Sequence, residues 1–461
     1  MDQAASKSGI WDTPYRGLTV GIVLAITTVA FEGLAITTIA PELARHLQGL
    51  SLYGWIFSAF LLSQLAGTMI IGRQIGKIGA LRSFVLAIAA FVAGIVIAAT
   101  AANMPILVAG RALQGFGAGG IVTCVYYSIA LRYPDALRTN ILAAFSGAYL
   151  LPALIGPYMA GWLAEHVSWR FVFWLVLPLI GAALWLTLPS FRELQAGLTD
   201  SRSADRGSLR VGNALLLTIG TGLLLAGLGW ITEWTGAVAA LSGFIVIIRP
   251  LRKLLPEGTF AARRGLPATL LSRGLYYACY VATESYVVLA LTEVKGMSAD
   301  RAGLIVAAGA LSWSFAAWLQ ARLDKKDRGL GRKRRITIGI GLMVVGVSLV
   351  MMAVAFEGGG IGFAIVSQAF TGFGIGLANP TTGAIALQHA RTGEEGEISS
   401  HLQFVDAFCP GVGIGIGGAL IAIAERFGLG MPAGITLALF LSLLLVVLGF
   451  IFSFRITNRP T

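Results

Sequence analysis

The chain has 461 residues, of which 56% are apolar and 12% charged; its net charge is +12 and its mean hydropathy +0.79. A water-soluble fold of this length cannot hide that much apolar surface, so the composition excludes a soluble protein and makes lipid the solvent. The apolar stretches are continuous runs of about 20 residues without alternation, which excludes a membrane barrel and predicts helices.

In chain order, the N-terminus up to Trp11 is polar and lacks a short apolar core with a small-residue cleavage site, so no cleaved signal peptide is expected. Spans are predicted over 17–40, 51–71, 82–100, 106–131, 139–164 and 170–190. A polar stretch, Ser190 to Arg210, follows. Two more apolar runs occupy 211–231 and 235–249, joined by a turn around Glu233. A basic segment, Arg249 to Arg264, leads into spans over 267–292, 302–322, 336–355, 360–388, 399–424 and 431–454. About fourteen crossings result, divided into a six-helix bundle over 1–190, a two-helix linker over 191–265 and a second six-helix bundle over 266–461.

Every second connection is basic. Arg73, Lys77 and Arg82 share one, Arg132 and Arg138 flank another, and eight basic residues from Arg322 to Arg335 crowd a third. Basic loops stay in the cytoplasm, so both termini are expected there, with the protein in the cytoplasmic membrane. The loop placement also argues against a nucleic-acid partner. The run from Arg322 to Arg335 reads as a topology signal, with anionic lipid heads as an alternative partner.

Cys124, Cys279 and Cys409 stand alone, and the four His are scattered, so neither a metal site nor a disulfide is expected. No nucleophile–base constellation and no phosphate loop of the Gly-Lys-Ser/Thr kind is present, which argues against an enzyme, an ATP-driven pump and any bound cofactor.

The chain repeats itself. The segment from Arg111 through Gln114, Gly115 and Gly117 to Gly119 returns as Gln368 through Gly372 and Gly374 to Gly376. Glu32 in the first span is echoed by Glu284 in the first span of the second half, and Gly72 to Lys77 more weakly by Gln320 to Lys325. Two copies of one bundle, each with a carboxylate inside its first span, form a transporter whose site lies between the halves. The repeated glycines read as close helix packing rather than ligand contact.

These residues resemble the major facilitator superfamily and, within it, the drug:proton antiporters with two additional central helices. Leu107 to Gly117 is similar to the fourth-helix motif, whose arginine the resemblance implicates in proton transfer. Gly156, Pro157 and Gly161 look like the fifth-helix antiporter motif, Phe31 to Pro41 like the acidic first-helix motif, and Trp169 to Trp174 like the entry to the sixth helix. The resemblance implies an all-α membrane fold of two six-helix bundles plus two central helices. The loop motif Gly72, Lys77 and Gly79 departs from the pattern, because Gly76 stands where an acid is usual. The resemblance implies that this acid helps latch the cytoplasmic side in the outward-open state, so either the latch is weaker here or another residue, such as Asp135, supplies the charge.

A carboxylate or guanidinium inside a span is costly and marks function. Glu32, Arg111, Glu284 and Asp406 are therefore the candidate proton-coupling residues. The alternative for Glu32 is a helix-end glutamate reaching water, and for Arg111 and Asp406 a structural partner. Tyr276, Tyr277, Tyr280 and Tyr286 surround Glu284, and an acidic aromatic pocket suits a cationic group; an interfacial tyrosine belt is the alternative. Gln64, Gln114, Tyr149, Trp313, Asn379 and Gln403 complete the candidate substrate contacts with Glu284, Tyr276 and Tyr280. Gly72, Lys77, Gly79, Gly156, Pro157 and Gly161 are the candidate gating residues, with a hinge kink expected at Gly156–Pro157 and similar effects at Pro380 and Pro410.

The expected activity is proton-coupled export of amphipathic, cationic or neutral, small molecules by a monomer in contact with membrane lipids. Export of a lipid or glycolipid, with the central pair helping lateral entry, and a non-transporting membrane sensor remain as alternatives. Because Gln368, the echo of Arg111, is neutral, Glu32 with Arg111 is expected to run the proton cycle while an acidic second half holds substrate.

Overall fold

Every regular element in the computed structural model is helical among the described residues, which are 9–196, 204–355, 360–390 and 395–457. The first bundle consists of α1 (Thr13–His46), α2 (Tyr53–Ile78), α3 (Ala80–Ala99), α4 (Met104–Arg132), α5 (Asp135–Gly147), α6 (Leu150–His166) and α7 (Trp169–Ala196). The inserted pair is α8 (Ala204–Gly229) and α9 (Trp234–Leu254). The second bundle consists of α10 (Leu266–Leu289), α11 (Ala299–Asp327), α12 (Arg332–Ala355), α13 (Gly360–Gln388), α14 (Glu395–Arg426) and α15 (Met431–Ser453). Twelve of these are long and apolar enough to cross a membrane. The predicted span 139–164 and α10 fall outside that set. The first is divided into α5 and α6; the second carries Arg273, Glu284 and several tyrosines among its apolar residues.

The repeat is visible in the packing. In the first bundle α4 packs on α2 and α3, and α1 on α6 and α7; in the second, α13 packs on α11 and α12, and α10 on α14 and α15. The glycine series produces these contacts. A side chain at Gly115 or Gly119 would run into the carbonyls of Phe60 and Gln64 on α2, and one at Gly117 into Phe91 on α3. In the second copy Gly372 and Gly376 meet the carbonyls of Gly309 and Trp313 on α11, and Gly374 that of Gly339 on α12. Without a hydrophobic force between helices in lipid, such backbone proximity supplies the packing energy.

A break in the chain precedes the expected kink site at Gly156–Pro157 by about two turns. α6 runs through Pro157 as one helix, and the interruption lies at Ala148–Tyr149. Pro152 explains it: with no N–H, it leaves the Ala148 carbonyl without its helical donor. The Thr27 hydroxyl of α1 donates to that carbonyl instead, at 3.1 Å.

We name the end of the molecule with the Arg73–Arg82 and Arg322–Arg335 loops the basic end, and the opposite one the far end. The contacts joining the bundles lie in the far half. Gly161 meets Ala299, Gly303 meets Pro157, Gly54 meets Gly418, and Arg45 pairs with Glu293 at 3.0 Å. At the basic end the ion pairs among the described residues stay within a bundle. Arg132 binds Glu193 in the first, while Arg332 and Arg335 bind Asp324 and Asp327 in the second. Two of the eight basic residues from Arg322 to Arg335 are thus paired within the bundle. Gly76 has open space around it, Asp324 fills the equivalent loop position of the second half, and the Asp135 side chain lies outside the described residues.

The α8–α9 pair lies along the seam between α2 and α14. Thr218 donates to the Leu62 carbonyl of α2 (3.3 Å), Leu225 packs on Gly415 of α14, and Arg426 bonds Thr232 (2.8 Å). Leu217, Ile247, Leu62, Leu65, Phe404 and Phe408 form one apolar cluster there. The pair covers this seam.

Candidate functional site

α1 and α4 cross where α1 carries Glu32 and α4 carries Arg111, and both side chains are about 2% exposed. Arg111 Nη1 donates to Glu32 Oε1 and, at 2.9 Å, to Gln114 Oε1, one helical turn along α4. Its Nε donates to the Ile56 carbonyl of α2 at 3.0 Å, and the guanidinium lies 4.4 Å over the Phe60 ring. Burying two charges is unfavourable unless further hydrogen bonds satisfy them. Arg111 has those bonds, whereas Glu32 Oε2 and Gln114 Nε2 are buried with no hydrogen-bond partner among the described residues. The site therefore has a spare carboxylate oxygen where a proton can be held. Helix-end access to water, the alternative for Glu32, does not match its 1% exposure. Gln114, expected on a substrate surface, is enclosed with the pair instead.

The second bundle has its own ion pair, through a residue that sequence reasoning missed. Arg273 of α10 binds Asp406 of α14 in a fork, Nε to Oδ1 and Nη2 to Oδ2, both at 2.7 Å. Its Nη1 donates to the Asn379 carbonyl (2.7 Å) and the Thr382 hydroxyl (2.9 Å) of α13. The expectation of an acidic second half is thus narrowed to Glu284, because Asp406 is paired with a cation in place. Tyr276, expected to contact substrate, is fully buried and bonded to Thr382 at 2.6 Å. Arg273 lies seven residues inside its helix, within the predicted span 267–292, where an arginine near a span end can reach water. The signal that could have found it is its position two turns into the same apolar run that carries Glu284.

Glu284 is the third buried or partly buried carboxylate of the site, 6% exposed, and has no cation partner among the described residues. Tyr280 donates to its Oε1 at 2.6 Å, and Trp313 meets the Tyr280 ring edge-on at 5.1 Å. The structure thus brings Glu284, Tyr280 and Trp313 together. Asp406 is 28% exposed, Gln403 is exposed and Asn379 half-buried in the basic half. Tyr149 sits at the α5–α6 break, 41% exposed, and its phenol is within electrostatic reach of Tyr277 from the other bundle. Gln64 is half-buried, with its carbonyl against Gly119.

The candidate gating residues divide into two groups. Gly72, Lys77 and Gly79 lie at the basic end, where Gly79 takes φ 86° to turn the chain between α2 and α3. Gly156, Pro157 and Gly161 lie on α6, where Pro157 and Gly161 form the far seam against α11. No group of three potential metal-binding side chains occurs among the described residues.

The sequence profile of the Major Facilitator Superfamily matches residues 21–414. The chain is 30% identical over 255 residues to the MFS-type transporter pydD of an Acremonium species, covering 55% of this chain and 44% of that one. It is 31% identical over 251 residues to efflux pump FUS6 of Gibberella moniliformis, covering 53% and 43%. The chain spans about half the length of the curated relatives it matches. Among solved structures, an auto-inhibited POT family peptide transporter superposes with a TM-score of 0.68 at 17% identity, covering 94% of this chain and 95% of that one.

Proposed function

The chain belongs to the Major Facilitator Superfamily, and on that premise we propose that it is a proton-coupled exporter of amphipathic small molecules. The observation that carries this reading is the sealed Glu32–Arg111 pair, a proton-accepting carboxylate held by a guanidinium inside a membrane-spanning bundle. Loss and gain of a proton at Glu32 switches the charge that Arg111 must balance, and so couples a proton to alternating access. The export direction draws on relatives named as efflux pumps.

Substrate sits between the bundles, where Glu284, Tyr280 and Trp313 offer one uncompensated carboxylate beside aromatic rings. With Glu32 and Asp406 both paired, this site favours a neutral or singly cationic group over a multiply charged one. Gln64, Tyr149, Asn379 and Gln403 supply further polar contacts. Arg273 with Asp406 holds α10, α13 and α14 together and leaves one carboxylate edge open in the basic half.

In this reading the chain makes fourteen crossings, with the α5–α6 pair and α10 added to the twelve. The two bundles occupy 1–190 and 266–461 with the linker over 191–265, and the protein acts as a monomer. The basic end and both termini face the cytoplasm, so the conformation described here is closed to the outside. Residues 72–79 work as the gate at the basic end, and residues 156–161 of α6, together with the Gly54–Gly418 contact and the Tyr53–Ser285 bond beside it, work as the far gate.

The test is efflux of a lipophilic cation from proteoliposomes under an imposed pH gradient. Glu32→Gln is expected to reduce gradient-driven efflux at least about tenfold, an amide being unable to cycle a proton, with normal membrane insertion. Wild-type efflux in that variant removes Glu32 from the mechanism.

A further inference from the structure

Three bundle-to-bundle contacts leave one short stretch of α2. The Tyr53 hydroxyl donates to the Ser285 carbonyl of α10 at 2.7 Å, and the Ser58 hydroxyl to the Gly411 carbonyl of α14 at 2.7 Å. Between them Gly54 lies so close to Gly418 that a Cβ on it would come within 2.9 Å of the Gly418 Cα. The carbonyl in the middle of this stretch, Ile56, accepts the Arg111 Nε–H at 3.0 Å. Ser285 directly follows Glu284 in α10. One and a half turns of α2 therefore connect the first-bundle ion pair to the far gate and to the carboxylate of the second bundle.

We propose that residues Tyr53 to Ser58 form the coupling segment of the transporter: Tyr53 and Ser58 are positioning residues that carry a change at Glu32–Arg111 to the far gate. This rests on the exporter reading above and adds the route. Arg111 is the one charged group facing Glu32 among the described residues, and it comes from α4. Tyr53 faces Tyr286 of α10, their ring centroids 6.0 Å apart, and Glu293 beyond α10, which Arg45 of α1 neutralises. When Glu32 changes charge, Arg111 must rearrange, since an unpaired buried guanidinium is strongly unfavourable. Its Nε bond then pulls on or releases the Ile56 carbonyl. The stretch is fully buried at Tyr53, Ile56 and Ser58, so a shift there is passed to the partner helices instead of being absorbed by solvent.

The experiment places one thiol at the gate. In a background with Cys124, Cys279 and Cys409 replaced by Ala, Ser285→Cys is introduced; the Ser285 side chain bonds only within α10, so its carbonyl stays available to Tyr53. The modification rate by a membrane-impermeant maleimide is measured in proteoliposomes at mildly acid and mildly alkaline pH, each normalised to unfolded protein at that pH. The parent is expected to show a ratio of about fivefold or more, the lower range of an ordinary coupling, and Glu32→Gln a ratio near one. Tyr53→Phe and Arg111→Lys, which has no Nε–H for Ile56, are each expected to cut the ratio to below about twofold. If Tyr53→Phe raises both rates by one factor and keeps the ratio, Tyr53 is a brace and the inference fails while the exporter reading stands. If Glu32→Gln keeps the parent ratio, the exporter reading fails and takes the inference with it.

Discussion

The two ion pairs occupy comparable bundles and differ in nearly every other respect. In the first, the acid is on the first helix and the arginine on the fourth, and both are sealed. In the second, the arginine is on the first helix of its bundle and the acid on α14, which packs where α6 does; the arginine is buried but the carboxylate is 28% exposed. Arg111 reaches a carbonyl on α2, a helix that touches the other bundle, whereas Arg273 reaches α13, a helix of its own bundle. The glycine contacts, by contrast, are reproduced position for position in both halves. Packing geometry is shared by the two halves, and chemistry is not. A glycine contact depends on two backbones that the repeat supplies together, while a charge needs a partner at one particular point.

The largest effect expected of this contrast is on stability. Arg273→Met leaves Asp406 partly buried without a cation and should cost about 3–5 kcal/mol, seen as a clear fall in the unfolding temperature in detergent. Adding Asp406→Leu should restore most of that loss if the pair is a structural tie. Recovery of stability together with loss of transport would instead make the second pair as functional as the first. A smaller and symmetric effect is expected from the shared packing. Gly115→Ala and Gly372→Ala each force a methyl to about 2.1 Å from a carbonyl oxygen, so both should destabilise by about 1–3 kcal/mol, and by similar amounts. A large difference between them would break the argument that packing is duplicated. The smallest effect belongs to the first bundle alone. Thr27→Val removes the donor that serves the Ala148 carbonyl and should destabilise by about 1 kcal/mol, raising amide exchange around the α5–α6 break.

Much of the architecture was legible because it follows from lipid as solvent. Apolar run lengths place the helices, the repeat gives two bundles, and the spacing of Gly115, Gly117 and Gly119 announces close neighbours on two sides. The intramembrane charges Glu32, Arg111 and Glu284 stood out because their cost is visible in one dimension. Arg273 did not, since near a span end an arginine that snorkels and one that turns inward look alike. The α5–α6 break was not foreseen, since the span 139–164 holds two prolines, Pro152 and Pro157, and a kink was expected at the second. Which of them interrupts the helix depends on whether a neighbour such as Thr27 can serve the freed carbonyl.

The sequence by itself determined a helical membrane protein of two related bundles with an inserted pair, because burial in lipid and backbone self-satisfaction leave a chain of this composition few other forms. It also determined which residues are expensive enough to need a purpose. Tertiary structure alone decided the pairings: Glu32 with Arg111 across 79 positions and Arg273 with Asp406 across 133. It also decided that Tyr276 faces Thr382 in the interior and that α8–α9 covers the α2–α14 seam. Hydrogen bonds and ion pairs act over a few ångströms, and only the packed helices bring those distant positions within that range.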